Sequence, residues 1–225
     1  MSLRQLAALL LALGALAGCG EEAAGEGTAH LWITRDRGSE VVLITTVPAG
    51  ISAMEALRRK ADVETRYGGR FVQAIDGIEG SLADQHDWFF YVNGYEADRG
   101  ATDYRLHDGD VLWFDHRPWG EEQRVPVVVG AFPEPFLHGF DGQRRPAVVN
   151  AAETETARKL AKLVHGSLNE QADGANRLVL VDGSGFRARL SGAPGDPVVF
   201  ELGADAARRL AREPTLARFR YEGLP

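Results

Sequence analysis

The side chains best placed to do chemistry in this sequence are aromatic. Trp88-Phe89-Phe90-Tyr91-Val92-Asn93-Gly94-Tyr95 is the densest run, and Trp113 and Trp119 follow it. Such groups offer non-covalent chemistry: ring faces stack on flat or cationic partners, and an amide such as Asn93 donates and accepts hydrogen bonds at a fixed point. Strand alternation sends Trp88, Phe90 and Val92 to one face of a sheet and Phe89 and Tyr91 to the other, so both faces are apolar. One face can pack on a helix. The other, joined by Trp113 or Phe114 from a later strand, needs a second unit, a partner or a flat ligand to cover it. Tyr95 follows Asn93-Gly94, the pair that best tolerates a tight hairpin turn, and so belongs at a hairpin tip.

Motifs for other chemistry are missing from the sequence. It has no phosphate-binding G-x-x-x-x-G-K-[ST] loop, no G-x-S-x-G elbow, no H-E-x-x-H and no paired-cysteine metal motif. The six histidines (His30, His86, His107, His116, His138, His165) show no ligand spacing. Asp108-Gly109-Asp110 lacks the alternating oxygen ligands and terminal Glu of a calcium loop. These absences predict a binding protein and not an enzyme, with no metal and no cofactor of its own. With 25 Lys+Arg against 32 Asp+Glu and a formal charge of −7, the chain is no candidate for holding nucleic acid through phosphate contacts.

One reactive group has a defined context. Arg4 precedes an apolar run from Leu6 to Ala17, shorter than the ~20 residues that span a bilayer as a helix and fitted to a cleaved export signal. Leu16-Ala17-Gly18-Cys19 closes that run and resembles a bacterial lipobox, which implies a signal peptide over residues 1–18 and acylation of the Cys19 thiol. A free thiol is otherwise unexpected in an exported protein. Residues 19–28, with three glutamates and no apolar periodicity, read as a flexible tether. The expected location is the extracytoplasmic face of a membrane, with membrane lipid as a partner through Cys19.

The elements that must position the aromatic groups divide at Pro118-Trp119-Gly120-Glu121-Glu122-Gln123-Arg124, a polar joint holding Pro and Gly. In the first unit, residues 29–118, a strand pair is expected over 30–34 and 41–47. A helix over 53–62 has Ser52 and Glu55 at capping-box spacing. Strands over 70–75, 88–92 and 111–116 complete the order β-β-α-β-β-β. In the second unit, residues 125–225, the pattern predicts strands over 125–131, 147–150, 177–181, 186–190, 198–202 and 216–221, and helices over 153–165 and 205–212. Residues 177–181 and 186–190 read as a hairpin around Asp182-Gly183-Ser184-Gly185. The stretch 132–145, with three Phe and two Pro, is too apolar for a solvated loop and is expected to pack on the first unit. The fold class is α+β: a β-grasp-like domain, a mixed sheet over one helix, followed by a second small α/β or α+β domain.

Trp88-Phe89-Phe90-Tyr91-Val92-Asn93-Gly94, then Gly100-Ala101-x-Asp103-Tyr104, then Leu106-x-x-Gly109-Asp110-x-Leu112-Trp113, carry a closer likeness. Together with Val47-Pro48-Ala49-Gly50 and Tyr67-Gly68-Gly69, they resemble a family of bacterial surface-lipoprotein domains related to the carboxy-terminal β-grasp domain of transcobalamin and intrinsic factor. The likeness covers about residues 40–117. In the animal proteins that domain closes over one face of cobalamin while a helical barrel covers the other, a part with no counterpart in this sequence. The resemblance implies a ligand-binding protein with a corrinoid as candidate ligand, captured or presented to an importer component. Trp88, Phe90, Tyr91, Tyr95, Trp113 and Trp119 would then supply aromatic faces, and Asn93 a polar donor. The alternative is an adhesion or assembly module that binds another surface protein or an envelope polymer. A pocket between the units lined by Trp88, Tyr95 or Trp119 would favour the ligand, and an exposed patch without a closed pocket would favour adhesion.

Overall fold

A computed structural model describes residues 27–225. The expected signal peptide, Cys19 and nearly all of the tether lie outside the described residues. The first unit opens with a hairpin of β1 (Thr28–Arg35) and β2 (Glu40–Pro48), both rich in β-branched residues that fit a pleated surface. Helix α1 (Ala53–Arg58) follows. Ser52 caps it by accepting from the Glu55 N–H at 3.1 Å, and the helix ends earlier than the sequence predicts because the chain turns back to form β3 (Val63–Arg66). With β4 (Phe71–Ile75) and β5 (Ile78–Glu79), β3 makes a small antiparallel sheet. Then come β6 (His86–Val92), β7 (Tyr95–Glu96) and β8 (Val111–Pro118).

The main sheet runs β2-β1-β8-β6-β7, with β1 and β8 parallel at its centre. One face buries Leu31, Ile33, Leu112 and Phe114 in the same core as Met54 and Leu57 of α1. That is the expected mixed sheet over one helix. Asn93 and Gly94 turn the β6–β7 hairpin with φ of 50° and 86°, conformations that Asn and Gly adopt at little cost.

The second unit holds β9 (Ala147–Asn150), α2 (Glu155–Leu163), β10 (Ser167–Leu168), β11 (Asn176–Val181), β12 (Phe186–Leu190), β13 (Val198–Gly203) and α3 (Ala204–Leu210). Its sheet runs β10-β9-β11-β13-β12, parallel except for β12. Three expectations for this unit need correction. Residues 125–131 form no strand. They lie across the face of the main sheet, where Val127 makes one bridge to Tyr95 and Pro126 has no N–H to give a ladder. Residues 216–221 form no strand either, since Pro214–Ala217 is a 3-10 turn and Phe219 follows at φ 63°. Finally, β11 and β12 are not a hairpin, because β13 lies between them. The loop from Asp182 to Gly185 crosses the end of β13, and the Gly183 carbonyl passes where a side chain on residue 203 would sit, so that crossing needs Gly203.

Stretch 132–145 packs as its composition predicts, but on both units. Phe140 meets Tyr95 and Tyr104 at ring distances of 5.6 and 5.2 Å, and Phe136 meets Phe200 at 5.1 Å. One apolar core thereby runs continuously through both units. A second cluster covers the other face of the main sheet: Trp32, Tyr91 and Trp113 lie under Val125, Val128, Ala131 and Tyr221.

Candidate binding groove

That second cluster settles what covers the aromatic strand pair. Tyr91 and Trp113 are buried by the polypeptide itself. Tyr95 is buried too, with its hydroxyl donating to the Asp196 carbonyl at 3.1 Å. Asn93 is fully enclosed. Its amide donates to Asp110 Oδ1 (2.7 Å) and to the Gly139 carbonyl (2.9 Å), and its oxygen accepts from the Val111 N–H (2.8 Å). Two of these bonds brace the hairpin within the first unit and one ties it to the second, so its amide is fully engaged. These four residues serve as core, so they are not available as a stacking platform. Trp119 sits half-buried on the joint, its backbone N–H donating to the Gln85 carbonyl at 2.8 Å. Two clefts at the seam of the units are lined by other residues: Trp32, Ile44, Phe132 and Leu137 in one, Arg37, Arg187, Arg189 and Tyr221 in the other.

Trp88 and Phe90 stand elsewhere, on the far side of the first unit. Trp88 is a strut. Its indole N–H donates to the Ile78 carbonyl at 2.9 Å and its ring packs on His116 at 5.1 Å, tying the small sheet to the main one. Phe90 is half-buried and stacks on Phe114, with centroids 5.2 Å apart and planes at 24°. Beside it opens a cavity of about 420 Å³ lined by Phe71, Trp88, Phe89, Phe90 and Phe114. A second cavity, about 480 Å³, is lined by Tyr67, Phe71, Leu82 and Asp87. Phe71 and Asp87 belong to both, so the two form one trough along the edge of β6.

The rim of this trough is unusual for a water-soluble surface. Tyr67 is 81% exposed and Leu82 76% exposed, the two most solvent-accessible large apolar side chains among the described residues. Tyr67 is also held at φ 53°, followed by Gly68 at 69° and Gly69 at 93°. A bulky residue in the left-handed region is costly, and this one yields no burial; it holds the ring at the rim, edge-on to Phe71 at 6.2 Å. At the floor, β6 offers an unfinished edge. His86 pairs with Ser81 and the Phe90 carbonyl accepts from the Ala97 N–H, while the Trp88 N–H between them is answered by the Asp87 carboxylate at 2.9 Å. Burial pushes the Asp87 carboxyl above the ordinary carboxylate range, against the opposing pull of that bond and of His116 and Arg66. Arg70 and Arg99 stand at the other end. The trough can therefore hold a flat or elongated apolar surface and meet a polar fringe at Asp87.

Sequence reasoning reached Trp88 and Phe90 here and missed Tyr67, Phe71, Leu82 and Asp87. Two signals were present: an aromatic directly before Gly-Gly, and a lone Leu in the polar loop Ser81-Leu82-Ala83-Asp84-Gln85. Among the described residues no three His, Cys, Asp or Glu side chains group as a metal set, and no helix is long and apolar enough to cross a membrane.

Residues 50–117 match a family described as "Domain of unknown function (DUF4430)". This span contains the whole trough and falls within the stretch that carries the transcobalamin likeness. No curated protein matches the chain. Solved structures similar over part of it include two that differ in kind. One is haptocorrin in complex with Cbi, at 15% identity and a TM-score of 0.35, covering 42% of this chain and 26% of that one. The other is a putative metal binding protein from Ruminococcus gnavus, at 14% identity and a TM-score of 0.35, covering 41% of this chain and 98% of that one. The chain thus spans about a quarter of the haptocorrin structure, and at these values neither likeness bears on the ligand.

Proposed function

We propose that this protein is a lipid-tethered, extracytoplasmic binding protein whose ligand lies in the trough between Tyr67, Leu82 and Phe90. A corrinoid is the candidate ligand, captured at the membrane or handed to an importer component. The observation that carries the reading is the exposure of Tyr67 and Leu82 beside a half-buried phenylalanine floor, because large apolar side chains grouped in water mark a surface that is covered in use. The ligand's chemistry follows from the lining: a flat apolar face against Phe71 and Phe90, and hydrogen-bonding groups at its edge for Asp87. A corrin ring fringed with amides has that form, and the sequence resemblance supports it. The proposed activity is binding without turnover, and the anchor is the acylated Cys19.

Two observations favour a second reading, the first being that the clefts at the seam of the units are lined by none of Trp88, Tyr95 and Trp119. The second is that the trough is unenclosed, and its two most exposed side chains stand at its rim, as in a surface that docks on another envelope protein or polymer. Equilibrium dialysis of the chain from residue 19 onward, carrying Cys19→Ser, against a corrinoid separates the two. The ligand reading expects saturable uptake near one per chain with Kd below about 10 μM, or about 7 kcal/mol of binding, and loss of that uptake in Tyr67→Ala. Absence of saturable uptake by the folded protein leaves the docking reading.

A further inference from the structure

Sheet edges are where unpaired backbone groups invite another chain, and proteins shorten, charge or cover them. Among the described residues, five of the six outer strands follow that rule along their length. β5, β7 and β10 have two residues each, β3 carries Glu64 and Arg66, and β12 carries Arg187 and Arg189. β2 does not. It is nine residues long, and from Val41 to Val47 it reads Val-Val-Leu-Ile-Thr-Thr-Val, without a charge in a chain that is 25% charged. No described residue pairs with its outer side.

The backbone on that side is available. The Ala49 N–H donates to the Gly27 carbonyl at 3.1 Å, and carrying this alternation along the β1–β2 register turns the N–H and C=O of Ile44 and Thr46 outward. Ile44 is 49% exposed and Val41 46%. They stand opposite Trp32 and Thr34 and so share one face, and Ile44 continues into the apolar cleft with Trp32 and Leu137.

We propose that β2 is a homodimer interface, pairing antiparallel with β2 of a second copy about a twofold axis close to Ile44. The absence of charge is what fits a second copy here. A different partner strand could answer a charge on β2 with an opposite one, but in a twofold pair each residue near the axis meets itself or a near neighbour, so a charge there would face its like. A seven-residue neutral run centred on Ile44 meets that condition. The pairing joins two five-stranded sheets into one, and it leaves the β6 trough free because β1 and β8 lie between β2 and β6.

Sedimentation velocity on the chain from residue 19 onward with Cys19→Ser, between 1 and 100 μM, is expected to show a concentration-dependent dimer. Ile44→Lys places like charges at the axis, and Ile44→Pro removes an outward N–H without touching the β1 ladder. Both are expected to sediment as monomers with unchanged circular dichroism. In the same background Ile44→Cys should form a disulfide-linked dimer on oxidation, since facing residues of a bonded antiparallel pair have Cα atoms about 5.5 Å apart. Leu82→Cys, more exposed but remote from β2, should not. A chain that stays monomeric to 100 μM overturns the proposal, as does a dimer that survives Ile44→Lys and fails to cross-link through Ile44→Cys.

Discussion

The hydroxyl of Tyr221 donates to Oδ2 of Asp115 at 2.8 Å, joining residues 106 positions apart that belong to different units. The other oxygen of Asp115 accepts from the Thr34 hydroxyl (2.5 Å) and the Gly38 N–H (3.1 Å), and the Trp113 indole donates to Thr34 at 2.7 Å. Burial pushes the Asp115 carboxyl upward while these donors and Arg117 pull it back. The chain's last residues thus latch onto a polar cluster inside an aromatic layer. Tyr221→Phe keeps the ring packing on Tyr91 and Trp113 but leaves a buried carboxyl oxygen short of a donor. Urea unfolding should show a loss of about 1–3 kcal/mol. An unchanged midpoint would show that the latch carries no stability.

The same layer bears on whether the first unit stands alone. Residues 28–118 in isolation would expose Trp32, Tyr91 and Trp113 and leave the inward-facing hairpin of Asn93 without its bond to Gly139. That fragment is expected to lack the cooperative unfolding transition of the longer chain and to bind a hydrophobic dye. A sharp transition would mean that each unit has a sufficient core of its own.

The helix and main sheet of the first unit were legible because their signals are local: the capping pair Ser52 and Glu55, the Asn93-Gly94 turn, and period-two strands; the short strands β3, β5 and β7, absent from the expected order, carry too few residues to show a period. The second unit was less so. Whether 125–131 is a strand depends on where its backbone can pair, and the apolar run Val127-Val128-Val129 looks the same on a sheet face as in a ladder. The insertion of β13 between β11 and β12 is likewise a non-local choice that a short Gly-rich loop disguises as a hairpin. At the site, an aromatic strand reads alike whether water, ligand or polypeptide covers it. Burial of Tyr91, Tyr95 and Trp113 was therefore open in the sequence, and the strain that presents Tyr67 is a backbone property with no periodic signal.

His138 gives the fold a pH dependence. Its Nδ1 lies 2.6 Å from Glu134 Oε1, and this bond raises the imidazole above its ordinary 6.5 despite the opposing effect of burial. A raised basic group stabilises the fold fully below pH 6.5, and that contribution disappears as the pH climbs through the raised value. The urea midpoint of the unmodified protein minus that of His138→Gln should therefore be larger at pH 5.5 than at pH 9. His116, lowered chiefly by burial, works in the other direction and cancels in the difference. An equal difference at both pH values would remove His138 as the cause.

The anchor is tested by Cys19→Ala. In a bacterial host that variant should lose fatty-acid labelling and be released or left unprocessed, and labelling that persists would remove the tether from the account.

The central claim, that the β6 trough holds the ligand, is tested most directly by titrating Trp emission with a corrinoid after correction for its absorbance. Trp88 lines the trough, so a docked corrinoid should quench saturably. Phe90→Ala should weaken the apparent affinity by about 1–3 kcal/mol, the scale of a lost aromatic contact, while leaving the fold intact. Trp88→Ala should instead lower stability, by about 3–5 kcal/mol as for other buried aromatics, because its indole ties the two sheets together. Quenching that saturates equally in the unmodified protein and in Phe90→Ala, or that never saturates while the protein stays folded, would contradict the claim.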